Sequence, residues 1–169
     1  NTIYDSVSPK TVYLPNQVNM LSLAQSTGDS TGFTASTTAI ALSTVTSSPY
    51  EGTTCLRTVW TSAAVYSEVN FSEALPITPN TYYNVSLYAK TTSSVLMQLM
   101  YYDSTGTGIQ STETNITQTD WYPYALYAKS PSNATTMNLR LLTQFGDTSN
   151  TLYVDQLQVT PTTSQETWT

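Results

Sequence analysis

PNTYYNVSLYAK, residues 79–90, decides the fold. It opens on a Pro-Asn turn signal and then alternates. Tyr83, Val85, Leu87 and Ala89 fall on one face; Tyr82, Asn84, Ser86, Tyr88 and Lys90 fall on the other. A period of two belongs to an extended strand, whose successive side chains point to opposite sides. The first face is apolar and predicts burial. The second is aromatic and hydroxylic, neither core-like nor strongly charged. A strand with one buried face needs a second layer to bury it against, so the stretch predicts a sheet packed on another.

Similar runs recur on both sides of it. They are TVYL (11–14), FTASTTAIALS (33–43), TTCLRTVW (53–60), VYSEVNFS (65–72), VLMQLMYYD (95–103), GIQSTETNIT (108–117), WYPYALYAKS (121–130), TMNLRLLTQF (136–145) and TLYVDQLQVT (151–160). Breakers rich in Gly, Pro, Asn, Asp and Ser stand between them: SSPYEG (47–52), ITPN (77–80), STGTG (104–108), SPSN (130–133) and GDTSN (146–150). Short strands at this spacing predict an all-β sandwich or barrel. No segment keeps a helical period for three turns. In the run 136–145, Met137, Leu139, Leu141 and Phe145 oppose Asn138, Arg140, Leu142 and Gln144. In the run 65–72, Val65, Val69 and Phe71 oppose Tyr66, Glu68, Asn70 and Ser72. Strands that bury one face each predict two packed antiparallel sheets. VLMQLMYY is apolar on nearly both faces, as expected of a central strand with its second face also covered, or of a contact surface.

Composition narrows the chemistry. The 169 residues suit one domain with its own core. Charged residues are 9%, against about 25% in ordinary globular proteins. Ser and Thr fill roughly a third of the chain instead. The net charge is −6, with only 5 Lys and Arg, so a nucleic-acid partner is excluded for lack of phosphate-binding cations. No stretch approaches the roughly 20 apolar residues of a membrane-spanning helix, and no insertion into a membrane is expected. A start at Asn1 rather than Met is expected of a chain processed or cut from something longer. The single cysteine, Cys55, can form no internal disulfide and is expected to be a small buried hydrophobe. The chain has no histidine, which removes the usual general base and histidine-ligated metals, and its 11 acids are scattered. An enzyme is not expected.

Four stretches, taken in order, resemble the carbohydrate-binding modules of families four, nine and twenty-two. PNQVNMLSLAQSTGDSTGF (15–33) is similar to their opening, an Asn-Leu-Leu-like strand followed by a loop and a Gly-aromatic pair. EGTTCLRTVW (51–60) resembles their second landmark, LPITPNTYYNVSLYAK (75–90) a Pro-x-Thr-Pro turn into an alternating strand, and TLYVDQLQVT (151–160) the terminal strand. The resemblance implies a jelly roll of two antiparallel sheets, galactose-binding-like, over residues 15–160. Residues 1–14 are then an extension or added strand, and 161–169 a linker or exit segment. It also implies non-catalytic, extracellular binding of a neutral glycan. Similar modules occur in phage tail and head-surface proteins, so a virion structural role, as a capsid decoration or tail-associated module, is the alternative. Its partners would be capsid or tail subunits or copies of the chain itself, at the virion surface.

Sugar binding needs flat rings for apolar C–H faces and polar groups for hydroxyls. The chain has 13 Tyr and 3 Trp against 3 Phe. Tyr66, Tyr82, Tyr88, Arg57, Arg140 and Gln144 are the expected ligand-binding residues. Trp60, Tyr102, Trp121, Tyr122 and Tyr124 are further rings, of which Trp60 and Trp121 are expected to be structural. Glu68, Asn84 and Gln98 are further hydrogen-bonding candidates. The face of Tyr82, Asn84, Ser86 and Tyr88 suits a glycan, a protein subunit or solvent alike. The related modules often hold a structural calcium beside an acid near the last strand; Asp155 is the matching position. Asn70, Asn84, Asn115 and Asn133 head N-x-S/T sequons, which matter only in a eukaryotic secretory route.

Overall fold

A computed structural model describes residues 18–61, 67–143 and 149–162. The TVYL run, the 1–14 extension and most of the 161–169 segment lie outside them. The described chain forms eleven strands: β1 (Phe33–Ala35), β2 (Ile40–Val45), β3 (Cys55–Trp60), β4 (Glu68–Phe71), β5 (Leu75–Pro76), β6 (Tyr82–Thr91), β7 (Val95–Tyr102), β8 (Gly108–Ile116), β9 (Tyr122–Lys129), β10 (Thr136–Thr143) and β11 (Asn150–Thr162). All the pairings are antiparallel. A front sheet runs β1-β4-β10-β7-β8, with β5 also on β10, and a back sheet runs β2-β3-β11-β6-β9. This is an all-β sandwich with jelly-roll topology.

The core lies between the sheets. Tyr83, Val85, Leu87 and Ala89 of β6 are buried, as the alternation predicts. They meet Met137, Leu139 and Leu141 of β10 and Met97, Leu99 and Tyr101 of β7 in one apolar cluster. Trp60 is fully buried there and donates its indole N–H to the Ser67 carbonyl at 3.2 Å. Tyr101 reaches across the layers and donates its hydroxyl to the Ala128 carbonyl at 3.3 Å. A buried tyrosine hydroxyl needs such a partner. Cys55 is buried, and that burial pushes its thiol up.

Three expectations about elements change. The run 33–43 is not one strand. β1 belongs to the front sheet and β2 to the back sheet, and the chain crosses over Ser36–Ala39. Ser36 anchors the crossing: its hydroxyl accepts from the Glu68 N–H at 2.9 Å. The opening at 18–22 is not a regular strand. Met20 donates to the Val159 carbonyl at 2.8 Å, and the Asn19 side chain spans the Leu157 carbonyl and the Val159 N–H. One helical turn follows, α1 (Leu23–Ser26), closed by a Ser22–Gln25 capping box. Finally, β11 runs on through Thr162, pairing Pro161 with Tyr83 and Thr162 with Tyr82.

Two glycines seat α1. A Cβ on Gly32 would lie 2.7 Å from the Gln25 nitrogen, so the Gly-aromatic pair Gly32-Phe33 is there to let the helical turn approach. Gly28 has φ +69°, and a Cβ there would meet the Leu56 nitrogen at 2.6 Å and the Val154 oxygen at 2.8 Å.

Candidate functional site

The outer face of the front sheet carries a row of polar groups across four strands. Register aligns Asn70 of β4, Arg140 of β10, Gln98 of β7 and Glu113 of β8. Arg140 stands at the centre. Its Nε donates to Glu68 Oε2 at 2.7 Å, its Nη2 also donates to Glu68 Oε2, and its Nη1 donates to Gln98 Oε1 at 2.8 Å. Gln98 passes the chain on, donating to Glu113 Oε2 at 3.0 Å, and Asn70 donates to Glu68 Oε1 at 3.1 Å. The Arg140 and Glu68 side chains are only about a fifth exposed, so the pair is screened less than a surface ion pair. Among the described residues these bonds use three of the five guanidinium N–H groups. A planar donor fork next to fixed carboxylate and amide oxygens can receive adjacent hydroxyls in two directions at once.

Apolar side chains flank the row. Leu142 and Leu96, opposite each other in register, are buried although they point outward. Met100 and Tyr102 are half-buried beyond it, and burial pushes the Tyr102 phenol up. Asn138 does not face a ligand: it accepts from the Phe71 N–H and donates to the Phe71 carbonyl, completing the β4–β10 edge.

The outer face of the back sheet is aromatic. Tyr82 stacks on Tyr127 with centroids 5.0 Å apart and planes at 3°. Tyr50, from the loop before β3, stacks on Tyr88 at 3.7 Å. Burial, then the Tyr50 contact, pushes the Tyr88 phenol up to about 12. Lys90 lies between the rings of Trp121 and Tyr153, 4.9 and 5.0 Å from their centroids. Trp121 also donates to the Ser48 carbonyl, which makes it a brace for the loop that carries Tyr50.

The expected binding residues therefore divide. Arg140 lies on the front face, while Tyr82, Tyr88 and Arg57 lie on the back face, so the set does not converge on one site. Tyr66 and Gln144 lie outside the described residues. Trp60 is in the core. Tyr124 accepts from the Thr117 and Gln118 N–H groups and holds the β8–β9 turn, with the half-exposed Tyr122 against its edge. Glu113, Tyr50 and Tyr127 were not among the expected residues. Alternation marks Glu113 and Tyr127 as outward, but only register shows which side chains they meet. Nothing in the sequence signals that Tyr50 folds onto Tyr88.

Asp155 does not fit calcium. Its Oδ2 accepts from the N–H groups of Tyr50 at 2.9 Å and Glu51 at 3.0 Å, and its Oδ1 from that of Gln156 at 2.8 Å. Calcium wants six to eight oxygens, and here the carboxylate is met by amide hydrogens. Among the described residues, no cluster of three or more His, Cys, Asp or Glu side chains could hold a metal ion. Among them, too, no helix is long and apolar enough to cross a membrane.

No family model and no curated protein matches the sequence. Solved structures do. The CBM22-1 xylan-binding domain of Paenibacillus barcinonensis Xyn10C is 16% identical, with a TM-score of 0.62, over 83% of this chain and 92% of that one. The fold is the jelly roll of carbohydrate-binding modules. TmCBM61, solved with β-1,4-galactotriose, matches at 14% identity and TM-score 0.55, over 86% of this chain and 99% of that one. The enzymatically active domain of tailspike protein 4 of bacteriophage CBA120 matches at 18% identity and TM-score 0.68, over 85% of this chain. This chain spans about a fifth of the tailspike chain's length.

Proposed function

We propose that the chain is a non-catalytic module that binds a neutral glycan on the outer face of its front sheet, outside the cell or on a virion surface. The observation that carries this reading is the row from Glu68 through Arg140 and Gln98 to Glu113. Its groups are held in place before any ligand arrives, so little ordering entropy remains to oppose binding. Their character suits hydroxyls, while Met100 and Tyr102 beside them suit the apolar faces of sugar rings. The likeness to modules described as xylan-binding or solved with galactotriose supports the ligand class.

The test is calorimetric titration of the folded chain with xylohexaose, β-1,4-galactotriose and a wider set of neutral oligosaccharides. Arg140→Ala is expected to weaken binding at least about tenfold, the loss of one or two charge-assisted hydrogen bonds. Circular dichroism of the variant checks that the sheet survives. The tailspike likeness favours the virion reading as the alternative. A folded chain that binds no saccharide but self-associates, or docks onto a larger particle, would overturn glycan binding and leave that structural role.

A further inference from the structure

The back sheet presents a second, separate feature that the front-face reading does not use. Along β6 and β9 the outward positions pair as Tyr82 with Lys129, Asn84 with Tyr127, Ser86 with Ala125, and Tyr88 with Pro123. Rings therefore stand at both ends of this strip. The Tyr82–Tyr127 stack forms one wall and the Tyr50–Tyr88 stack the other. Between them the floor drops to Ser86 and Ala125, the latter exposed. Tyr127 and Tyr88 belong to rows two pairs apart, about 13 Å along the strands at the rise of an extended chain. The trough opens at β9, the last described strand of its sheet, so among the described residues no further strand of the back sheet closes it on that side.

We infer that this trough is a second saccharide site, facing away from the first. The argument is chemical. The walls are tyrosines, which offer flat apolar faces and a phenol at the rim. The floor is small and bears one hydroxyl. Asn84 adds an amide beside Tyr127. The cations nearby are turned onto rings, Lys129 over Tyr82 at 5.7 Å and Lys90 between Trp121 and Tyr153, which leaves them poorly placed to hold an anionic ligand. Two acids lie beside it: Asp155 is buried and bonded to backbone, and Glu51 is exposed next to Tyr50 at one end, where a carboxylate repels anions and accepts from hydroxyls. An uncharged, hydroxyl-rich ring is the ligand class that remains. The inference rests on the reading that the ligand is a neutral glycan, and it adds that one module holds two.

The experiment is an amide NMR titration of the whole chain with xylohexaose, β-1,4-galactotriose and a set of other neutral oligosaccharides. Two separate groups of shifted resonances are expected, one around Gln98 and Arg140 and one around Ser86, Ala125 and Tyr127. Ala125→Phe fills the floor without removing any contact. It should weaken the second response about tenfold, one stacking interaction's worth, and leave the first untouched. Tyr127→Ala, with its fold checked by the same spectrum, should do likewise. Arg140→Ala should remove the first response alone. Shifts confined to the front face with every saccharide, or a back-face response indifferent to Ala125→Phe, would overturn the second site while sparing the first. A back-face response without a front-face one would overturn the first and sustain the second.

Discussion

The carboxylate of Asp155 ties three backbone amides from two separate segments, and its removal should be felt as a loss of stability. Asp155→Ala leaves the N–H groups of Tyr50, Glu51 and Gln156 without their acceptor in a part-buried place. Orphaned buried donors cost about 1–3 kcal/mol each, and partial relaxation toward water brings the expected total to about 3 kcal/mol. Urea unfolding of the variant measures it. A chelator added to the wild-type chain should leave the melting temperature unchanged, because the carboxylate's bonds are to amide hydrogens. A fall of several degrees would show that a cation contributes after all. Arg140 is the contrasting residue. Its outward position was legible from the alternation of β10, but its partners were not. Glu68 lies 72 residues away and Gln98 42 residues away, and only strand register brings them to it.

At the scale of elements, legibility followed burial. β6 and β10 each bury one complete face, so a period of two stands out in their residues, whereas β7, apolar on nearly both faces, shows it less. The crossing at Ser36–Ala39 did not stand out, because Ser and Thr serve strands and turns equally well in this chain. α1 is a single turn, too short to show a helical period, although its Ser22-x-x-Gln25 signature was present. Its docking makes a sharp prediction. Gly28 sits at positive φ against the backbones of β3 and β11, with no flexible side chain available to yield. Gly28→Ala should cost about 3 kcal/mol, combining left-handed strain with a backbone clash, read as a lower denaturation midpoint at unchanged slope. Gly52 also has positive φ, but nothing lies within 4 Å of a Cβ there, so Gly52→Ala should cost about 1 kcal/mol, from the backbone alone.

For the molecule as a whole, stability should vary with pH in two opposed steps. Burial lifts the Asp155 carboxyl above its ordinary 3.8, against the pull of its three amides. Between that raised value and 3.8 the folded chain binds more protons than the unfolded one, so stability rises as pH falls. Asp29 and Asp103 behave oppositely. Backbone and hydroxyl donors hold both below 3.8: Thr31 and Thr44 for Asp29, Thr105 and Thr107 for Asp103. Below 3.8 the unfolded chain binds the extra protons, and stability falls. Urea midpoints measured from neutral pH downward should pass through a shallow maximum. In Asp155→Asn the rise should vanish and the acid-side fall should remain.

The placement of β11 has a consequence in time. It lies in the middle of the back sheet, between β3 and β6, yet it is made of residues 150–162. During synthesis β3 and β6 emerge from the ribosome long before the strand that joins them. Until it arrives, each presents an unpaired edge, and Leu56, Val85 and Leu87 lack the neighbours that cover them. Loop closure over such separations is slow. The front sheet faces no such delay at β7 and β8, which follow one another directly. A nascent chain halted before residue 150 would therefore hold every described strand of the front sheet but only the pairs β2–β3 and β6–β9 of the back one, a species prone to pair with its own copies. Completion of the back sheet should therefore wait on residues 150–162.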